Sequence, residues 1–199
     1  MKKILLVLVG LVVCSGFAAE DASEVTQRLL KETMDRGIEI LKDASLDDDH
    51  KMTTFQGLLR ERCHTELMAK LVLGKSGWTS LSEEQRPEFI SAFIQMMTRS
   101  YYTKMSMADL STVEISYAEN EEISAKKRVL KAFIKDETDI YHLEYKFALI
   151  DDHWGIYDLV IEGISLLASY RSEYSDYLKQ HSGAELIELL EQKVAEVSE

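Results

Sequence analysis

Proline occurs once in this chain and glycine nine times, which excludes a low-complexity linker and points to one continuous domain. Cysteine is nearly absent. Cys14 falls in an apolar N-terminal stretch, and beyond it only Cys63 remains, so neither an intramolecular disulfide nor a cysteine-based metal site is expected. His50, His64, His142, His153 and His181 are scattered, without an HExxH or any paired spacing on a helix, and no metal or cofactor is expected. Positive charge is in deficit: 23 Lys and Arg against 35 Asp and Glu give a net charge of −12. Such a chain does not bind nucleic acid by counterion release, and it does not rest permanently on anionic lipid. Ile4 to Val13 is the apolar run at the N-terminus, far short of the roughly 20 residues of a membrane-spanning helix.

What the N-terminus does contain is an export signal. Lys2 and Lys3 precede the apolar run, and small residues follow up to Ala18, the n, h and c regions of a signal peptide. Residues 1–18 are read as that signal and 19–199 as a single domain. Cys14 raises lipoprotein processing as a rival, but Val13 stands where a small residue is wanted. Losing residues 1–18 removes two lysines and no acid, which takes the net charge to −14.

The order of periodicities is helix, strand, helix. Helices are expected within 24–105. The first covers 24–42 with Ser23 as N-cap, and Val25, Leu29, Met34, Ile38 and Leu41 share one face. Asp47-Asp48-Asp49 lacks the alternate ligands and glycine of a calcium loop and reads as a solvated helix start. Gly74 ends a helical piece, and Lys75 to Leu81 reads as a loop containing Trp78. Ser82 to Gln85 is a capping box opening a long helix lined by Phe89, Phe93, Met96, Met97, Tyr101 and Met105. Period two takes over across 112–162. Val113, Ile115 and Tyr117 alternate with polar residues, Glu119 to Glu122 reads as a turn, and a strand follows over 123–134. After a turn at Asp136 to Thr138, Tyr141, Leu143, Tyr145, Phe147 and Leu149 alternate cleanly with polar positions. Asp151 to His153 turns into the last strand, Trp154 to Ile161. Gly163 breaks that strand, Ser165 caps, and helices fill 164–197 with a break at His181 to Gly183. Short connections imply an antiparallel meander. The fold class is α+β, a four-stranded antiparallel sheet covered by helices.

Catalytic constellations are weak. Gly163-Ile164-Ser165 begins like a nucleophile elbow, but Leu167 replaces the second glycine, and Ser165 is better read as a helix cap. Asp158 as a base with Tyr145 or Tyr157 as donor is the one acid–base arrangement a sheet-and-helix pocket would suggest, and nothing in the residues demands it.

Two blocks carry a resemblance. The first is Leu71-Val72-Leu73-Gly74, Trp78, Glu84-Gln85-Arg86, Phe89, Phe93 and Tyr101. The second is Trp154, Tyr157-Asp158, Glu162-Gly163-Ile164-Ser165, Tyr170-Arg171 and Gly183 with Leu186-Ile187. In these blocks the chain resembles the MlaC family, also called the toluene-tolerance family. Cys63-His64 departs from the family's aromatic-Asp pair at a helix start, and Tyr174 replaces its Phe. The resemblance implies a curved sheet of NTF2-like shape with an apolar pocket between sheet and helices. It also implies a non-enzymatic periplasmic carrier of phospholipid, with no cofactor. Such a carrier, expected to be a monomer in transient contact with membranes, would move lipid between an outer-membrane lipoprotein complex and an inner-membrane ABC transporter complex. Another apolar ligand, such as a hopanoid or a solvent, is the alternative. The expected lipid-lining residues are Tyr141, Leu143, Tyr145 and Phe147, with Tyr117, Val129 and Phe133 from neighbouring strands. Leu71, Phe93, Met97, Tyr101, Ile164 and Leu167 are added from the helices, and His142 and Arg171 are the head-group candidates.

Overall fold

The computed structural model of the chain describes residues 21–106, 112–135 and 139–196. The expected signal peptide with Cys14 and the turn at Asp136 to Thr138 lie outside the described residues. The elements run α1 (Ala22–Lys42), α2 (Asp48–Arg62), α3 (Thr65–Ser80), α4 (Gln85–Ser106), β1 (Glu114–Ser124), β2 (Lys127–Lys135), β3 (Ile140–Ile150), β4 (His153–Ile161), β5 (Ile164–Ser165), α5 (Leu166–Tyr177) and α6 (Gly183–Glu196). The sheet is an antiparallel meander in the order β1-β2-β3-β4-β5. It has five strands rather than four, because Ile164 and Ser165 fold back on Ile161 and Val160. Glu162 and Gly163 make that reversal with φ of 48° and 79°, the pair of positive values a tight two-residue hairpin needs. Asp151 and Asp152, at 48° and 62°, do the same between β3 and β4. Ile164 is therefore a strand residue, not the first residue of the C-terminal helix.

Helix starts follow local chemistry. Asp21, not Ser23, caps α1, its carboxylate accepting from Ser23 N at 3.1 Å. Asp47 caps α2 by accepting from His50 N at 2.9 Å, which accounts for the acidic run. The Ser82 box is formed in both directions: Gln85 N donates to Ser82 Oγ at 3.2 Å, and Ser82 N donates to Gln85 Oε1 at 3.0 Å. Ser182 and Glu185 build a second one before α6, with distances of 3.2 and 2.7 Å. Residues 75–80 are helical rather than a loop. Gly74 at φ 64°, ψ 179° kinks α3 between two helical pieces, so Trp78 sits on the second piece between Lys70 and Arg86. Glu119 to Glu122 lies inside β1, not in a turn. An edge strand with one solvated side tolerates four polar residues that sequence alone reads as a reversal.

Two apolar cores flank the sheet. The larger is helical and packs Val72, Phe89, Phe93, Met97, Leu167, Tyr174, Leu186 and Leu190 from α3 to α6. The smaller lies between the sheet and α1 and is built on Leu30, Leu130, Ala132, Leu143, Tyr145, Phe147 and Ile156. Cys63, at the α2–α3 corner, touches both. Its neighbour His64 joins that corner to the sheet: His64 N donates to Ile156 O at 2.8 Å, and Nε2 donates to Ala148 O at 3.0 Å. The ring lies against Gly155, where an added Cβ would come within 2.8 Å of it. Gly155→Ala must displace the ring and break its bond. The expected cost is about 1–3 kcal/mol, read as a fall in Tm, and an unchanged Tm would show that the corner is not held this way.

Candidate functional site

The register sets which side chains share a sheet face, because directly paired residues point the same way. On the face turned to α1, four rows follow one another. Glu122, Arg128, Phe147 and Ile156 form the first, and Asn120, Leu130, Tyr145 and Leu159 the second. Tyr117, Ala132, Leu143, Ile161 and Ile164 form the third, and Ile115, Ile134 and Tyr141 the fourth. Two bulges keep the rows continuous. One adds a residue to β1 between Tyr117 and Asn120, and one adds Tyr157 to β4. The second bulge turns Tyr157 toward the helical core while Ile156 and Leu159 stay on the α1 side.

The rows grade from polar to open and apolar. At the first, Arg128 is buried. Its Nε donates to Asn120 Oδ1 at 2.8 Å, Nη2 to Asn120 O at 3.0 Å and Nη1 to Glu122 Oε2 at 3.2 Å. Asn120 Nδ2 in turn donates to Ser23 O and Thr26 Oγ1, both at 2.9 Å. This network pins the start of α1 to the sheet. The middle rows are buried. Tyr145, whose hydroxyl lies 3.3 Å from Met34 Sδ, has its ionisation pushed far up by burial. At the last rows Ile134 and Ile161 are half-buried, and Tyr141 and Ile164 are exposed at 43% and 64%. That exposed end is unusual for large apolar side chains.

The covering helix buries few large side chains of its own. The buried positions of α1 are Thr26, Leu30, Thr33, Gly37 and Ile40. Two of these are threonines whose hydroxyls return to their own helix, at Ala22 O (2.8 Å) and Leu29 O (2.6 Å). Beyond its pinned start, α1 packs on the sheet-side core through Leu29, Leu30 and Met34.

Of the expected lining residues, Tyr117, Tyr141, Leu143, Tyr145, Phe147 and Ile164 come together on this face. Val129 and Phe133 do not. They pair with Lys146 and His142 on the opposite face, in the set that includes Lys131 and Glu144. β2 carries apolar residues on both sides, so periodicity could not choose between them, and Leu130 and Ala132 are the ones that face α1. Phe93, Met97 and Leu167 are buried in the separate helical core, and Leu71 and Tyr101 pack against it. His142 stands edge-on to Phe133 on the far face, ring centroids 5.0 Å apart. The guanidinium of Arg171 lies over Gly74 at the α3 kink, with Nη2 3.2 Å from where a Cβ would be. Leu29, Leu30, Met34 and Ile156 complete the α1-side lining. The α1 pattern placed Leu29 and Met34 on one face, but nothing in the sequence paired that face with β3.

Asp158 and Tyr145 lie on opposite faces, so that pairing is not assembled; Tyr157, the other expected donor, lies near Asp158, its ionisation raised by burial and by that carboxylate. The Asp158 carboxylate accepts from Lys146 Nζ at 3.0 Å, Ser165 Oγ at 2.8 Å and Leu167 N at 3.2 Å. Ser165 Oγ accepts from Ala168 N at 3.0 Å, which makes it the cap of α5. Among the described residues, no group of three or more His, Cys, Asp and Glu could hold a metal ion, and no helix is long and apolar enough to cross a membrane. Burial pushes the Cys63 thiol from 9.0 to about 12. At pH 8 it should hold about a thousandfold less thiolate than an ordinary cysteine. Iodoacetamide should label Cys63 readily in denaturant and very slowly in the native state; equal rates would place the thiol outside the core.

Fold and site together define an α+β protein with a single helix laid over one apolar sheet face and that face open at one end. The chain belongs to the MlaC family, whose model matches residues 31–192. A solved structure with this fold is the phospholipid-binding protein from Ralstonia solanacearum in complex with a phospholipid. It superposes with a TM-score of 0.75 and 17% identity, over 87% of this chain and 98% of that one. Among curated proteins nothing matches the chain.

Proposed function

We propose that this protein is a non-enzymatic phospholipid carrier whose acyl chains lie along the α1-facing side of the sheet. The observation that carries the reading is the row structure: a continuous apolar floor that begins buried under α1 and ends exposed at Tyr141 and Ile164. Family membership and the phospholipid named with the Ralstonia structure support it. In the carrier, α1 lifts and the chains replace its contacts with Leu130, Leu143 and Tyr145.

The physics requires a covered path. Two acyl chains with about 30 methylenes would cost roughly 24 kcal/mol to expose to water, at about 0.8 kcal/mol each. A dry pocket solvates them about as well as a bilayer does, so exchange runs near balance and partners set its direction. The family supports a periplasmic setting and exchange with an outer-membrane lipoprotein complex and an inner-membrane ABC transporter complex. The test is to incubate purified mature protein with phospholipid vesicles, re-isolate it and weigh it by native mass spectrometry. Bound phospholipid at fixed stoichiometry is expected; a protein that stays empty would sink the reading.

A further inference from the structure

A second feature belongs to the helical side, where α3 kinks at Gly74. Acids outnumber bases in the chain by 35 to 23, yet between Glu66 and Glu83 there is no Asp or Glu. Cations gather at the kink instead. Lys70, Gly74 and Trp78 are spaced four apart in α3. Lys70 Nζ lies 5.4 Å from the centroid of the Trp78 ring, and Arg86 Cζ lies 5.5 Å from the same centroid. Arg171 reaches across from α5 and rests its guanidinium on Gly74, where a Cβ would meet Nη2 at 3.2 Å. Lys75, next in the chain, is exposed. The one carboxylate paired within this group is Glu66, on Lys70. Nearby acids are engaged elsewhere: Glu84 accepts from Ser82 Oγ at 2.8 Å, and Glu173 holds Lys193 at 2.7 Å. Among the described residues Lys75, Arg86 and Arg171 take part in no ion pair, and Arg86 Nε is buried without a hydrogen-bond partner. Like charges left uncompensated repel, and a buried donor of a charged group left unpaired is costly. Acceptors of negative charge would relieve both.

We infer that this patch docks an acidic polypeptide segment of a partner protein, with its carboxylates on Arg86, Arg171 and Lys75. Each guanidinium has a fixed support, an indole ring for one and Gly74 for the other, so less freedom is lost when its fork grips a carboxylate. A membrane surface is the rival occupant, and two observations count against it. Trp78 is half-buried and already engaged by cations, and the exposed large apolar side chains, Ile123, Ile140, Tyr141, Ile150 and Ile164, all lie on the sheet. A patch that seeks a bilayer sets apolar side chains free to enter the interface beside its cations. A second copy of the chain fits no better, because a two-fold contact would set this patch against itself, like charge on like. The net charge of −12 repels an acidic segment from the rest of the surface, so the patch also selects where it lands. The inference is independent of the lipid-carrier reading, since the patch lies on the helical core and not on the α1-facing floor.

The probe is a fluorescein-labelled peptide of alternating Glu and Gly, titrated with the protein and followed by fluorescence anisotropy. Wild-type protein should bind it, and more weakly as salt rises. Arg171→Gln should weaken binding about tenfold and Lys75→Gln about threefold. Both side chains are exposed, so folding is not at stake. Lys127→Gln, on the exposed start of β2, changes the net charge equally and should leave binding unchanged. The membrane alternative is read with vesicles of phosphatidylglycerol and phosphatidylcholine, which should not retain the wild-type protein. A wild type that does not bind the peptide, or equal affinities in Arg171→Gln and Lys127→Gln, overturns the inference. So does retention on the vesicles that Arg171→Gln abolishes, which would assign the patch to a membrane surface.

Discussion

Ile161→Arg is expected to lower phospholipid uptake at least about a hundredfold while the empty protein stays folded. Ile161 is half-buried in the row that runs Tyr117, Ala132, Leu143, Ile161 and Ile164. In the empty protein an arginine there can lay its stem along the floor and reach water past exposed Ile164. With acyl chains on the floor the same guanidinium would be covered. An unpaired charge taken out of water costs several kcal/mol, and about 2.7 kcal/mol already makes a hundredfold. The control is Phe133→Arg on the opposite face, where uptake should be unchanged. Native mass spectrometry of the lipid-to-protein ratio reads the result, with a thermal melt to confirm folding. If Ile161→Arg loads like the wild type, the chains do not use this face.

Asp158→Ala should be severely destabilising, at about 3–5 kcal/mol. The carboxylate is 5% exposed and joins three elements. It neutralises Lys146 on β3, holds the Ser165 hydroxyl at the head of α5, and accepts the Leu167 amide of the first turn. Removing it strands a partly buried ammonium and two donors together, and the strand-to-helix corner loses its tie. For a chain of this length each kcal/mol moves Tm by about 2–4 °C, so a fall of roughly 6–20 °C is expected. Asp158→Asn keeps an acceptor but loses the ion pair, and should fall in between. A Tm within about 2 °C of wild type in Asp158→Ala would show that the corner is held by packing alone.

These two tests differ in how far the residues could be foreseen. Asp158 and Ser165 sit in a contiguous stretch where a strand ends, glycine turns and a hydroxyl caps. Those are local signals, and the sequence showed the corner. What it could not show is that Asp158 reaches across to Lys146, twelve residues earlier on a neighbouring strand. Ile161 and Ile164 looked equivalent to Val160 and Leu167 as apolar residues in one run. The hairpin at Glu162-Gly163 and the extra residue Tyr157 assign them to different sides.

The sequence by itself determined the order of helices, a four-strand meander and helices, the caps at Ser82 and Ser165, the alternating face of β3 and the family blocks, but not the short fifth strand. Each of these depends on residues within a turn or two of one another. Only the tertiary structure decided that Leu130 and Ala132, rather than Val129 and Phe133, share a floor with Leu143 and Tyr145. It also separated Phe93, Met97 and Leu167 into another core. The physical reason is that a strand apolar on both sides has no preferred face until its partners pair with it. Register across four strands is a long-range choice that no local period contains.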